Sequence, residues 1–356
     1  MEWIKPDINI DFVKYRYVAF AVSALLIAAG VVALVARGGL NLGVDFAGGT
    51  LIQVQFKKDT TPDAIRKAMG ELAEGSAVQQ IGATSEHEFL IRTDAEAQDL
   101  QGLARGIETD LSKTFGEGEV NVRRVEMVGP KVGHDLRQKA LFAIYYAMIL
   151  ITIYISGRFE FKWGTSGILA AVLILGIYLL EVAGLNVTVL IFGALAVTLV
   201  LCWFLRLPFA LGALLSLLHD VIITVGAFAI INKEFTLEVL AAVLTLVGFS
   251  LNDTIVIYDR IRENQRKSRP QDLHELVNTS VNQTLSRTIL TSGTVFAVTL
   301  CLFLFGGSVI HDFSFALLVG LISGTYSTVF VASAVLIIYE DLNKRKRSAR
   351  KSAAAA

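Results

Sequence analysis

Cysteine is nearly missing from this chain: Cys202 and Cys301 are the only two, and both fall inside apolar runs. A structural disulfide is therefore not expected, and the pair reads as two free buried thiols. Charge is scarce as well. Only 18% of residues are charged and the formal net charge is zero, which leaves no global basic field for nucleic acid. Nothing at a sensible spacing joins His219 and Asp220 as third and fourth ligands, so no metal centre is expected. The first apolar stretch is full length and lacks a small-x-small cleavage site, so it reads as a retained span rather than a signal peptide.

What abounds is apolar surface. Hydrophobic residues make up 54% of the chain and mean hydropathy is +0.58, more than a soluble domain of this size needs. Crossing a bilayer takes about 20 apolar residues. Eight stretches qualify, near 17–36, 138–157, 165–183, 187–205, 208–231, 237–258, 285–306 and 312–339. The expected fold is a polytopic α-helical membrane protein of about eight spans.

Residues 39–134 have ordinary soluble composition instead. They read as strand Thr50–Phe56, helix Pro62–Leu72, strands Ala77–Ile81 and Glu88–Arg92, helix Ala95–Thr114 and strand Val120–Met127. Thr61 caps the first helix and Pro62 suits its first turn. The βαββαβ order predicts one small α+β domain of ferredoxin-like type. The chain thus divides into an N-terminus with first span (1–38), this domain (39–134), a second span (135–163) and an apolar hairpin (164–205). A core bundle (206–339) and a basic tail (340–356) complete it.

Basic residues set the expected orientation. Lys5, Lys14, Arg16, Arg158, Lys162, Arg206, Arg260, Arg262, Arg266, Lys267, Arg269 and the 344–351 cluster all fall on one side if eight spans alternate. Both termini are then cytoplasmic and the α+β domain faces outward, a long translocated segment being exempt from the rule. The tail's cations are read as an orientation signal that touches anionic lipid.

Asp253 sits inside the sixth run, where a charge costs at least about 2.5 kcal/mol on insertion scales. Such a group is a functional candidate by default. Arg287 opens the next run, and its long side chain reaches a similar depth. A carboxylate beside a guanidinium keeps its charge, whereas one in lipid-like surroundings takes up a proton. The pair therefore reads as a proton or ion path, with structural glue between helices as the alternative. Asp220 is a second relay candidate or a buried structural pair, with His219 turned about 100° from it. Ser250, Asn252, Ser286, Thr291 and Thr294 either hold waters or let helices pack closely. Asp45 is expected to organise the approach to the outer domain.

Four stretches carry a resemblance: GLNLGVDFAGGT at 39–50, VGPKVG at 128–133, LLHD at 217–220 leading to GFSLNDTIVIYDRIREN at 248–264, and NQTLSRTILTSG at 282–293. In this order they resemble the SecF subunits of the bacterial SecD–SecF protein-export complex, itself related to the RND transporters. The resemblance covers nearly the whole chain but not residues 164–205, a hairpin added to the family's usual six spans.

What the resemblance implies is an energy-transducing component of the cytoplasmic (inner) membrane, without covalent catalysis or a cofactor. Protons would drive late preprotein export, with sodium left open as the ion. The implied partners are SecD, a SecY-type channel and unfolded preproteins, and the implied coupling residues are Asp253 and Arg287. Three other readings compete: an RND-type exporter of lipids or small molecules, an assembly subunit without ion coupling, and an intramembrane aspartyl protease using Asp220 and Asp253. The protease lacks its usual sequence contexts here.

Overall fold

The computed structural model describes residues 8–70, 76–81, 87–93, 100–182, 184, 186–267 and 272–355. The expected helix ends at 71–72 and 95–99 lie outside them, as do Lys5 and Arg269.

Among the described residues, seven helices are long and apolar enough to cross a membrane. Six of them contain α1 (Arg16–Ala36), α5 (Pro130–Glu160), α7 (Val187–Phe204), α8 (Pro208–Ile231), α9 (Leu237–Lys267) and α10 (Leu273–Phe305). The seventh, Ile310–Arg345, unites α11 (Gly307–Ser327) and α12 (Ser333–Ala355) through a π turn at Thr328–Ala332. The eighth expected span is α6 (Trp163–Val182), of which Trp163–Leu179 is the shorter apolar part. Local chemistry sets several boundaries. Pro130 and Pro208 occupy first helical turns, where a missing N–H is not needed. Phe161 and Asn232 turn left-handed to end α5 and α8. Helices α9 and α10 run well beyond their apolar stretches, because Asn264 Nδ2 ties them together through Ser280 Oγ and Gln283 Oε1, both at 2.9 Å.

Between α1 and α5 stand a four-residue helix α2 (Val44–Ala47) and the unit β1 (Gly49–Phe56), α3 (Pro62–Ala68), β2 (Ala77–Ile81), β3 (Glu88–Thr93), α4 (Leu100–Phe115) and β4 (Val120–Val128). The sheet order is β2-β3-β1-β4 with every neighbouring pair antiparallel. Ile52, Val54, Phe89 and Ile91 alternate onto the face covered by Ile65, Ile107 and Leu111 of the helices. The opposite face, with Leu51 and Gln53, looks onto the helix bundle.

Two of the distant sequence motifs clamp this unit to the bundle. Gly48 adopts φ +79°, and a Cβ there would stand 2.9 Å from Pro130 Cα; a Cβ on Gly133 would stand 3.0 Å from Gly48 N. Only glycine permits that approach. Asp45 Oδ2 accepts the Leu237 N–H at 3.0 Å and so caps the start of α9. Leu42 bridges Phe235, whose N–H donates to Asn41 O at 2.7 Å.

The hairpin α6–α7 sits at the bundle's edge. Leu169, Leu173, Ile177, Ile191 and Leu195 pack against Tyr145 and Met148 of α5, while Ile168, Val172, Val189 and Phe192 stay exposed. The side chain of Glu181 lies outside the described residues. One expectation fails here. Cys202 is buried, but Cys301 lies on the exposed face of α10 and is not a buried thiol, because an apolar run facing lipid leaves one stripe of its helix uncovered.

Helices α1 and α8 touch at glycine: a Cβ on Gly30 would stand 2.8 Å from Gly226 Cα. Gly30→Ala should therefore lower thermal stability in detergent by about 1–3 kcal/mol through overpacking. Gly164→Ala, with nothing within 4 Å of the added carbon, should leave it unchanged or raise it.

Candidate functional site

Helix α9 carries carboxylate business on two faces. Toward α10 points Asp253, 2% exposed. Ser292 Oγ donates to its Oδ2 at 2.8 Å, and Thr291 Oγ1 reaches its Oδ1 at 3.4 Å. The same Thr291 hydroxyl lies 2.9 Å from the Arg287 carbonyl and 3.0 Å from that of Thr288, so its share of Asp253 is the weakest of three. Arg287 itself is exposed one turn away, and among the described residues it forms no ion pair with Asp253. The expected pairing is thus not made in this conformation. Two hydroxyls from the arginine's own helix stand in for it.

Toward α8 and α11 points Ser250, which sequence position alone had placed beside Asp253. It donates instead to Asp220 Oδ2 at 2.7 Å. Asp220, 1% exposed, also accepts from Ser327 Oγ at 2.8 Å and, on Oδ1, from Ser323 Oγ at 2.7 Å. His219 Nδ1 lies 3.0 Å from Oδ1, although the two side chains leave α8 in different directions. The imidazole's other nitrogen contacts Ser23 Oγ of α1 at 2.9 Å, and its ring stacks on Tyr326. Three helices, α8, α9 and α11, thus converge on one carboxylate, and His219 links α1 to them. Gly324 makes room, since a Cβ there would stand 3.1 Å from Ser250 Cβ.

Below this cluster the polar contacts continue along α9 at one-turn steps. Thr254 Oγ1 meets Thr328 Oγ1 at 3.1 Å, and the Tyr258 hydroxyl donates to Ala332 O at 3.3 Å. Those partners bound the π turn, whose wider winding frees backbone carbonyls that must be met from outside the helix. Among the described residues, Asn252 is exposed without a side-chain partner, and Thr294 bonds only its own helix at Thr291 O. Ser292, Ser323, Ser327 and Ser23 were not singled out by sequence. The available signal was hydroxyls four residues apart in apolar runs, as at 323 and 327, a pattern shared with close helix packing.

One residue beyond Tyr258, Asp259 pairs with Arg158 at 2.5 Å, and Glu263 pairs with Arg260 at 2.8 Å. Among the described residues no group of three or more His, Cys, Asp or Glu side chains is placed to hold a metal ion.

The chain matches the family model "Protein export membrane protein SecD/SecF, C-terminal" over residues 107–195 and 180–342, and "SecD/SecF GG Motif" over 32–60. A protein translocase subunit SecF from Magnetococcus marinus is 41% identical over 96% of this chain and 95% of its own length. The chain belongs to the SecF family. A SecF from Vibrio alginolyticus is 38% identical over 94% of the chain and 91% of its own. The crystal structure of SecDF, a translocon-associated membrane protein from Thermus thermophilus, superposes with a TM-score of 0.74 at 29% identity. That match covers 95% of this chain but 40% of the larger one, so the solved relative holds much that this chain does not. The GG-motif segment contains the Gly48 clamp. The two family-model segments overlap over residues 180–195, inside the α6–α7 hairpin.

The carboxylate cluster yields a stability prediction. Ser323→Ala or Ser327→Ala removes one donor from a buried carboxylate and should cost about 1–3 kcal/mol in denaturation of the detergent-solubilised protein. Thr294→Ala, at a hydroxyl that serves only its own helix, should cost less than about 0.5 kcal/mol.

Proposed function

We propose that this chain is a SecF subunit that uses the proton motive force to drive late preprotein translocation across the bacterial inner membrane. One observation carries the reading: Asp253 is a buried membrane carboxylate held by only two hydroxyls, both on the helix that bears Arg287. Such a loosely held acid has two available states. Charged, it draws the Arg287 guanidinium inward; protonated, it loses that pull and rests on Ser292 and Thr291. Exchange between them moves α10 against α9. Helix α9 begins at the Asp45 cap beneath the outer domain, so its shift reaches the domain that meets the emerging polypeptide. One charge crossing the membrane field releases about 2.3 kcal/mol per 100 mV, enough to bias a domain motion more than tenfold. Sodium would serve the same carboxylate, and the energy source needs no cofactor.

In this reading SecD, a SecY-type channel and unfolded preproteins are the partners, and anionic lipid meets the basic tail. The bundle is RND-like with eight spans, α6 included, and both termini are cytoplasmic. The outer domain is ferredoxin-like, in keeping with its β2-β3-β1-β4 order. The domain limits expected from sequence are kept. Asp220 takes a different part from Asp253. Its three serines and His219 favour an anchor that holds four helices together over a group that gives up its proton each cycle.

Asp253→Asn should abolish the gradient-dependent part of preprotein export into inverted vesicles while the complex still assembles. Unchanged gradient dependence would leave Asp253 as helix glue and favour an assembly subunit. Orientation is tested separately: a cysteine at Glu117 should react with an impermeant maleimide added outside cells, and one at Arg266 should not.

A further inference from the structure

A second acidic feature lies outside the membrane, where the open face of the sheet looks down on the α8–α9 loop. A cleft of about 200 Å3 separates them. Five carboxylates line it, from Asp45, Glu126, Glu234, Glu238 and Asp312, against the one guanidinium of Arg124. Arg124 is taken by Glu126, and Lys233 by Asp312. Arg92, the next cation, spends an N–H on Leu42 O at 2.5 Å. Asp45 has its helix cap, and Glu238 is exposed.

Glu234 has nothing. It is 8% exposed, yet among the described residues its carboxylate takes no hydrogen bond and enters no ion pair. Burial pushes it above the ordinary glutamate value; Arg92 pulls it down, and Asp312 and Asp45 add to the rise. Desolvation likewise raises Asp45, against the Leu237 N–H. A buried carboxylate facing a cleft without a partner is costly unless something positive arrives.

The lining also selects the kind of cation. The acids are too spread to grip a small ion, for no three of them form a metal-holding group among the described residues. Between them stand apolar walls from Val44, Leu51, Leu90 and Leu237. Carboxylates beside aliphatic surface suit a group with an apolar stem and a charged head. We propose that this cleft binds an aliphatic cation, the guanidinium or ammonium side chain of an extended polypeptide, between the outer domain and the bundle. The assignment to a polypeptide rests on the export reading above; the cation chemistry does not. Because Glu126 belongs to the sheet and Glu234 to the bundle side, an occupant bridges the two and holds the outer domain down.

The test uses the full chain in lipid nanodiscs and a short unstructured peptide carrying one arginine, followed by calorimetry. The arginine peptide should bind, its citrulline counterpart should not, and Glu234→Gln should weaken binding by about tenfold, the scale of one charge-assisted hydrogen bond. Glu238→Gln, at the exposed rim, should weaken it less. A melting temperature of Glu234→Gln at or above that of the parent chain verifies that the variant is folded. Equal binding of the citrulline peptide, or undiminished binding by folded Glu234→Gln, would overturn the site. Tighter binding of spermidine than of the peptide would reassign it to a free polyamine and overturn the polypeptide assignment. None of these readouts depends on Asp253, so failure here is distinct from failure of proton coupling.

Discussion

The membrane bundle is organised around the need to satisfy one buried carboxyl group. Asp220 lies where water does not reach, and hydrogen-bond donors from α8, α9 and α11 converge on it. A carboxylate left short of partners in such a place costs several kcal/mol, so every helix that supplies a hydroxyl is held at one rotation and one depth. Apolar packing alone specifies neither, because lipid tails are as apolar as the helix faces. Ser23 extends the network to α1 through His219. The glycine contact of Gly30 with Gly226 then lets α1 lie close enough for that reach.

Asp253 shares the helix but not the treatment. It meets two hydroxyls, one of them divided among three acceptors. The contrast between a saturated acid and a loosely held one, on two faces of α9, is the physical basis for giving them different parts. In the proposed cycle, rigidity at Asp220 would provide the frame, and a group with few bonds to break would change state against it.

The outer unit is joined to that frame through α9 as well. Asp45 caps the helix from the GG-motif segment, and Gly48 and Gly133 bring β1 and α5 into backbone contact. The α6–α7 hairpin touches none of this. It packs on α5 and α8 by apolar contacts, with Ser166 Oγ donating to Ser156 Oγ at 2.5 Å and Trp203 edge-on to Tyr339 of α12.

Span positions, the βαββαβ order and the membrane carboxylates were legible in the sequence, because hydropathy and period-2 alternation are local properties and a charge in an apolar run is conspicuous by itself. Strand ends in the outer unit came within a residue or two for the same reason. Partners were not legible. Ser250 and Asp253 are three residues apart on one helix, and nothing in the chain says that the first serves Asp220 and the second meets Ser292. The Asp253–Arg287 pairing looked sound from depth alone, yet helix rotation turns the arginine outward. Cys301 was misjudged on similar grounds, since an apolar neighbourhood in sequence is compatible with either face of a lipid-exposed helix. Depth in the membrane follows from composition, whereas azimuth follows from how helices pack. The sequence by itself determined which elements exist and how deep each charge sits; only the tertiary structure decided which way each side chain faces, because a helix is set in rotation by contacts with neighbours remote in the chain.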